Sequence, residues 1–160
     1  MILTRKLFEN KIAHYKDVAM KEKDSYLKAY ALGVKVSLEN LYRDYEEFEG
    51  REMLSNITLA ESVFVIDAIT AYENLMNLVN AFKSIDIMYE FIVRGYAGAA
   101  KILAKEIFSD KVYANICESY LEKQKNSIKS IDELPVLDKQ LFDMYLKQLE
   151  PIYMAVKIYE

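Results

Sequence analysis

Apolar residues recur at steps of three and four along most of the chain, which is the spacing of residues on one face of an α-helix. No segment shows the strict apolar–polar alternation of a half-buried β-strand. The pattern predicts an all-α fold, a bundle of five or six helices. The predicted helices cover about residues 4–21, 25–49, 58–83, 84–108, 110–131 and 138 to the end of the chain.

The second predicted helix has the most regular pattern. Its apolar residues alternate steps of four and three over three heptads, which is typical of a seam in a helical bundle or a coiled coil. Gly50 follows the last of them and is well placed to end the helix. The seam residues are Leu27, Ala31, Val34, Leu38, Leu41, Tyr45 and Phe48.

The third predicted helix is apolar around half or more of its circumference. Thr58 and Glu61 match a capping box at its start, in which each side chain bonds a backbone N–H of the other residue. An apolar arc this wide needs more than one neighbouring helix to cover it. We therefore expect the helix at about residues 57–83 to lie at the centre of the bundle.

Two further positions bear on where helices begin and break. Asp24 or Ser25 could cap the second helix, and Ser84 or Asp86 the fourth, since all four side chains can accept a bond from a free N–H group. In the last helix Pro151 lacks an N–H group and clashes with the preceding turn, so we expect it to kink or split that helix.

The composition supports the helical prediction and limits the number of domains. Of 160 residues, 52% are hydrophobic, enough to form a core, and only 4 are Gly and 2 are Pro. A sandwich or barrel needs more turn formers than this. No linker rich in Gly, Pro or Ser divides the chain, so we expect one domain over residues 1–160.

Charge and apolar content favour a protein of the cytoplasm. The net charge of −4 argues against non-specific binding to nucleic acid. The most apolar stretch carries Glu61, Asp67 and Glu73, which would be costly in lipid, so we expect no membrane span. With no signal peptide at the first residues, Cys117 is expected to be a reduced cytoplasmic thiol. The Lys- and Glu-rich usage is compatible with a thermophilic source.

Residue types that carry out catalysis are scarce. His14 is the single histidine, and nothing in the local sequence pairs it with Cys117 as a nucleophilic dyad. There is no glycine-rich phosphate loop, and the Glu-x-x-His motif of carboxylate-bridged metal sites is absent. We predict no catalytic residue, cofactor or metal ligand. Three acids near apolar faces, Asp67, Glu73 and Glu106, leave a carboxylate-based metal-binding bundle as an alternative.

A polar stripe follows the third predicted helix. Asparagine is a mediocre helix former, so its repetition at helical spacing suggests that neutral hydrogen-bonding groups are needed there. The stripe is a candidate face for a partner or a polar ligand, and the alternative is a solvated surface. Asp67, Thr70, Asn74 and Asn77 lie within about 80° of one another on a helical wheel, with Glu73 and Asn80 beside them.

Small residues interrupt the bulky fourth helix at Gly95, Gly98 and Ala99. Glycine destabilises a helix by about 1 kcal/mol relative to alanine, so two of them in one helix need a reason. The usual reason is the close approach of another helix. The contact could lie inside the bundle or across a dimer, and a kink is the third possibility.

A modest basic patch is predicted beside Tyr120. Lys123, Lys125 and Lys129 could contact phosphate groups, although three lysines are also typical of a solvated face. The patch is the reason to consider an accessory subunit of a nucleic-acid-processing complex.

The function most consistent with these features is a non-enzymatic one. We expect a helical bundle that acts through protein–protein contacts, as a homo-oligomer or a small subunit of an assembly. The 13 tyrosines support this expectation, since aromatic side chains are favoured at interfaces. Tyr145, Tyr153 and Tyr159 of the last helix are the interface candidates among them.

Overall fold

The computed structural model describes residues 2–51, 57–81, 86–124 and 136–158, and the regular structure in these ranges is entirely helical. This confirms the predicted all-α bundle. The six helices are α1 (Arg5–Lys21), α2 (Ser25–Arg51), α3 (Ile57–Ala81), α4 (Ile87–Ile107), α5 (Asp110–Gln124) and α6 (Val136–Ile158).

Three helix starts are fixed by side chains that accept backbone N–H groups. The Thr4 hydroxyl accepts the N–H of Leu7 at 3.1 Å at the start of α1. Asp24, rather than Ser25, accepts two N–H groups in the first turn of α2. Asp86 caps α4 in the same way. Each cap bonds N–H groups that have no partner within the helix, which fixes where the helix begins.

The end of α2 and the start of α6 differ from their predicted positions, and the predicted split of α6 at Pro151 does not occur. Helix α2 continues through Gly50 to Arg51, and no glycine in the described residues has the positive φ of a helix-ending cap. Helix α6 begins two residues early, at Val136, and remains one helix across Pro151. Pro151 and Lys147, whose carbonyl loses its partner, are both exposed, so water can hydrogen-bond to that oxygen.

The apolar side chains form two core clusters, one toward each end of the bundle. The first core cluster joins α1, the second half of α2, the first half of α3 and the second half of α4. The second core cluster joins the opposite halves of α2, α3 and α4 to α6. The first contains Leu3, Phe8, Val34, Leu38, Leu41, Tyr45, Val65, Ile69, Ala99, Ala100, Leu103 and Ala104. The second contains Ala29, Leu75, Val79, Met88, Ile92, Val93, Leu149, Ile152 and Val156.

Helix α4 occupies the central position predicted for α3. It packs against α2, α3, α5 and α6, whereas α3 packs mainly against α4. Nine residues of α4 are buried, and several of them are Gly or Ala, so neighbouring helices can approach it on several sides. Helix α3 instead leaves Val63 and Ile66 exposed on its outer face. The number of small residues in α4 was therefore a better guide to which helix lies at the centre of the bundle than the width of the apolar arc of α3.

The backbones of α2 and α4 touch where two glycines meet the opposite helix. A Cβ atom on Gly33 would overlap the carbonyl oxygen of Ile92, and one on Gly95 would overlap the carbonyl oxygen of Tyr30. Only glycine fits both positions without separating the helices. This crossing joins the two core clusters, because α2 and α4 contribute residues to both.

Candidate functional site

An exposed group of large apolar side chains lies over the α2–α4 crossing. We call the five residues Tyr26, Leu27, Tyr30, Ile87 and Phe91 the aromatic face. Four of them are 41%, 53%, 37% and 51% exposed (Tyr26, Leu27, Tyr30 and Ile87), and Phe91 is half-buried. Single exposed apolar residues are common, but several on neighbouring turns of two packed helices more often mark a contact surface.

One ring contact joins the two helices within the aromatic face. The rings of Tyr26 and Phe91 lie 5.1 Å apart. The guanidinium of Arg94 stands 5.8 Å from the centre of the Phe91 ring, within the range of a cation–π contact. Arg94 also bonds Glu90 at 2.5 Å, one turn earlier. The face thus has an apolar centre with an ion pair at its edge.

The small residues of α4 position Tyr30 within this face. Gly95 allows the Tyr30 backbone to lie directly on α4. A Cβ on Gly98 would lie 3.0 Å from the Tyr30 hydroxyl, so the end of the ring rests beside this glycine. Ala99 is fully buried in the first core cluster. The structure therefore places Gly95 and Ala99 inside the bundle, and Gly98 at its surface under Tyr30.

The polar stripe of α3 is divided between two sides of the helix. Asp67 and Asn74 are exposed, and the Thr70 hydroxyl donates to the carbonyl of Ile66 at 3.0 Å. Asn77 is half-buried, while the side chain of Asn80 lies outside the described residues. Glu73 points inward: it is 6% exposed and bonds Lys101 of α4 at 2.5 Å.

The acids considered as metal ligands are used separately. Glu73 pairs with Lys101, and Glu106 pairs with Lys11 of α1 at 2.6 Å. Asp67 faces outward on α3. In the part of the chain that the structure describes, no three His, Cys, Asp or Glu side chains lie together as a metal would require.

The buried carboxylate of Glu61 was not singled out as a site residue. The predicted capping box is wrong, because α3 begins at Ile57 and Glu61 instead bonds a distant segment. Its oxygens accept the N–H of Ile2 at 3.0 and 3.1 Å and the N–H of Leu3 at 2.6 Å. The side chain is 2% exposed, so these bonds replace the water that it loses. A lone glutamate among apolar residues was the available signal.

His14 and Cys117 have separate neighbours. His14 is exposed and lies edge-on to Tyr15, with ring centres 5.0 Å apart. Cys117 is half-buried beside Tyr113 on α5, where burial raises the pKa of Tyr113 to about 12. Each of the two residues therefore has a tyrosine of its own helix as its described neighbour.

The tyrosines of α6 have different environments. The Tyr153 ring stacks on Tyr89 of α4 at 4.5 Å, and its hydroxyl donates to Asp86 at 2.7 Å. The Met88 N–H, together with this hydroxyl, holds the pKa of the Asp86 carboxyl below its usual range. Tyr153 thus fastens α6 to α4 within the chain. Tyr145 is exposed, and Tyr159 lies outside the described residues.

The predicted phosphate patch cannot be located in the structure. Lys125 and Lys129 lie outside the described residues, as does the side chain of Lys123 at the end of α5.

None of the helices within the described ranges is both long enough and apolar enough to cross a membrane. Comparison of the chain with protein-family models, with curated proteins and with solved structures finds no match.

Proposed function

We propose that the protein is a non-enzymatic helical bundle that acts through protein contact and associates with a second copy of itself through the aromatic face. The observation that supports this proposal is the exposure of four large apolar side chains around Phe91 at the α2–α4 crossing. Tyrosine, phenylalanine and arginine are enriched at protein interfaces, and tyrosine and arginine also dominate their binding hot spots. The face has two tyrosines and a phenylalanine, with Arg94 beside them.

The charge distribution favours a second copy as the partner. A two-fold interface brings the same surface of both subunits together, so that surface must be complementary to itself. The aromatic face is apolar at its centre, and its edge carries both members of the Arg94–Glu90 ion pair. In a two-fold arrangement Arg94 of one copy can approach Glu90 of the other.

The position of the aromatic face also favours binding. Tyr30 is held by backbone contact with Gly95, on two helices whose close crossing restricts movement. A preorganised surface loses less conformational entropy on association than a mobile one does. The contact geometry is therefore largely set before the partner arrives.

Multi-angle light scattering tests the proposal. We expect the unmodified protein to form a dimer or larger species at high concentration. The double variant Leu27→Glu, Ile87→Glu places two charges at exposed positions of the face and should weaken association by about tenfold or more. The matched control is Val112→Glu, Met144→Glu, which adds the same charges at exposed apolar positions of α5 and α6.

Circular dichroism must show the same helix content in both variants. A monomer at every accessible concentration would overturn the proposal. Equal dissociation by the control variant would overturn the choice of the aromatic face, since a general charge effect would then explain the result.

A further inference from the structure

A groove opens on the outer side of α2, away from the crossing with α4. Helix α2 forms its base with Lys28, Leu32 and Lys35, which follow one another at steps of four and three along a single stripe. The end of α1 forms one wall with Lys16, Ala19 and Met20, and Ala155 of α6 forms the other. We call this the lysine groove.

The apolar residues of the lysine groove give it depth. Ala19 and Ala155 are too small to fill the space between the three helices, and Leu32 lies half-buried between the two lysines of α2. The exposed Met20 side chain stands at the rim. The groove has a volume of about 400 Å³, within the range of small-molecule sites in proteins.

Among the described residues that line the groove, all the charged ones are lysines. Lys16, Lys28 and Lys35 surround the apolar residues, and no described acid contributes to the lining. This is unusual in a chain with a net charge of −4. Three cations placed around a recess raise the local concentration of anions.

Two acids close in sequence to the groove lysines, Asp17 and Glu39, form ion pairs, and Lys28 also makes an interaction within the structure. Asp17 bonds Lys21 at 3.0 Å, pointing its charge along α1. Glu39 bonds Lys35 at 2.7 Å and is itself largely exposed, so Lys35 is shared between this carboxylate and the groove. Lys16 is exposed and has no carboxylate partner within the described residues.

We propose that the lysine groove binds a small amphiphilic anion, a molecule with a short apolar body and a carboxylate or phosphate group. The apolar body would pack against Ala19, Leu32 and Ala155. The anionic group would bond the ammonium groups at the rim. This binding site lies on the opposite side of α2 from Tyr26 and Tyr30, so the inference does not depend on the proposed self-association.

The lining of the groove favours an amphiphilic anion over a nucleic-acid strand and over a free inorganic anion. A nucleic-acid strand is bound by a long basic track with aromatic platforms, and the described residues of the groove lining include no aromatic side chain. A free inorganic anion would make no use of the apolar base. An amphiphile uses both features, because burial of its chain and pairing of its charge contribute separately.

Isothermal titration of the full chain tests the inference with defined probes below their micelle concentrations. Decanoate and decyl phosphate carry the two possible anionic groups on one apolar chain. Decanol has the same chain without the charge, and inorganic phosphate has the charge without the chain. We expect saturable binding of one molecule per chain for one or both amphiphilic anions, weakening as salt rises, and much weaker binding of decanol and phosphate.

The triple variant Lys16→Gln, Lys28→Gln, Lys35→Gln should weaken this binding by about tenfold or more. Lys6→Gln, Lys111→Gln, Lys147→Gln makes the same change of net charge at exposed positions elsewhere and should leave binding unchanged. The single change Lys16→Glu, compared with Lys111→Glu, repeats the test at exposed residues that do not contribute to the core clusters.

Several results would overturn the inference. Decanol binding as tightly as decanoate would show a merely hydrophobic site, and phosphate binding as tightly would show a site for simple anions. The absence of saturable binding, or equal weakening in both triple variants, would remove the groove from consideration. Light scattering of the same samples distinguishes ligand binding from the proposed self-association, since the ligand should bind whether the protein is monomeric or associated.

Discussion

The two ends of the bundle are closed in different ways. At the end with the first core cluster, the segment before α1 is drawn into the interior: Leu3 is buried, and its N–H bonds the buried carboxylate of Glu61. At the other end, α6 is fastened by the exposed bond between Tyr153 and Asp86 and by three buried side chains. The bond between Leu3 and Glu61 is buried away from water, whereas the bond between Tyr153 and Asp86 is exposed to it.

This difference has a consequence for how each end opens. A buried polar bond cannot be exchanged for a bond to water without exposing the core, so breaking it is coupled to unfolding. An exposed bond can be replaced by water at little cost. We therefore expect the end that contains α6 to open locally, and the end that contains Leu3 and Glu61 to open only with the whole molecule.

The largest effect should come from the same Leu→Ala truncation made at each of the two ends. Leu103→Ala, in the first core cluster, should reduce the free energy of unfolding by about 4 kcal/mol, because closely packed neighbours cannot collapse into the space. Leu149→Ala on α6 should reduce it by about 2 kcal/mol, since a peripheral helix can shift inward. Denaturant unfolding measures both values.

Hydrogen exchange of the same two variants sharpens the comparison. Leu149→Ala should speed exchange mainly in α6, and Leu103→Ala should speed it throughout α1 to α4. Equal losses of stability with uniform exchange in both variants would mean that the two ends unfold as one unit.

The next effect concerns the polar closure at Glu61. Glu61→Ala leaves the N–H groups of Ile2 and Leu3 without their acceptor and should reduce the free energy of unfolding by about 3 kcal/mol. Glu61→Gln keeps a carbonyl oxygen of the same reach and should lose less than half as much. Thermal unfolding at neutral pH measures both, and an unchanged midpoint for Glu61→Ala would show that these bonds contribute nothing.

A smaller effect is expected at the crossing that joins the two ends. Gly95→Ala would force α2 and α4 apart at the Tyr30 carbonyl, and should be destabilising by about 2 kcal/mol after the gain in helix propensity. Gly98→Ala is the matched control. Its Cβ would meet only the movable end of the Tyr30 side chain, so it should be neutral or stabilising by up to about 1 kcal/mol. Urea unfolding of the pair separates the two; a stabilising Gly95→Ala would disprove the close crossing.

The glycines Gly33 and Gly95 at the crossing of α2 and α4 also show what could be predicted from the sequence. Local periodicity and capping groups were sufficient to predict the helices and the all-α class, because both act within a few residues. The close contact at Gly95 could be suspected from the glycine itself. Its partner on α2, the Tyr30 backbone, could not be predicted, and neither could the contact of Gly33 with Ile92, since both contacts form only when the chain has folded.

The candidate sites were harder to predict for the same reason. Leu27 was assigned to a buried seam, yet it is 53% exposed. Glu61 was assigned a local role in its own helix and instead bonds residues near the start of the chain. The lysine groove draws on three helices distant in sequence. Positions that depend on which helices become neighbours are not encoded in local spacing.

The smallest effect should appear at the exposed closure of α6 and should depend on pH. Bonds from the Met88 N–H and the Tyr153 hydroxyl lower the pKa of Asp86 in the folded state. A carboxyl whose pKa is lowered by folding contributes stability above its unfolded pKa of about 3.9, and this contribution is lost as the pH falls through the folded value. Tyr153→Phe removes one of the two bonds, so it should be mildly destabilising at pH values above this range.

The same substitution should have a smaller effect in acid, where Asp86 is protonated in both states. Thermal unfolding of the wild-type protein and of Tyr153→Phe across this pH range measures the difference, with Tyr145→Phe, at an exposed tyrosine of the same helix, as the control. A difference that does not change with pH would mean that the Tyr153 hydroxyl does not act through the Asp86 carboxylate. A difference that narrows in acid would show that protonation of the exposed Asp86 carboxylate weakens the attachment of α6.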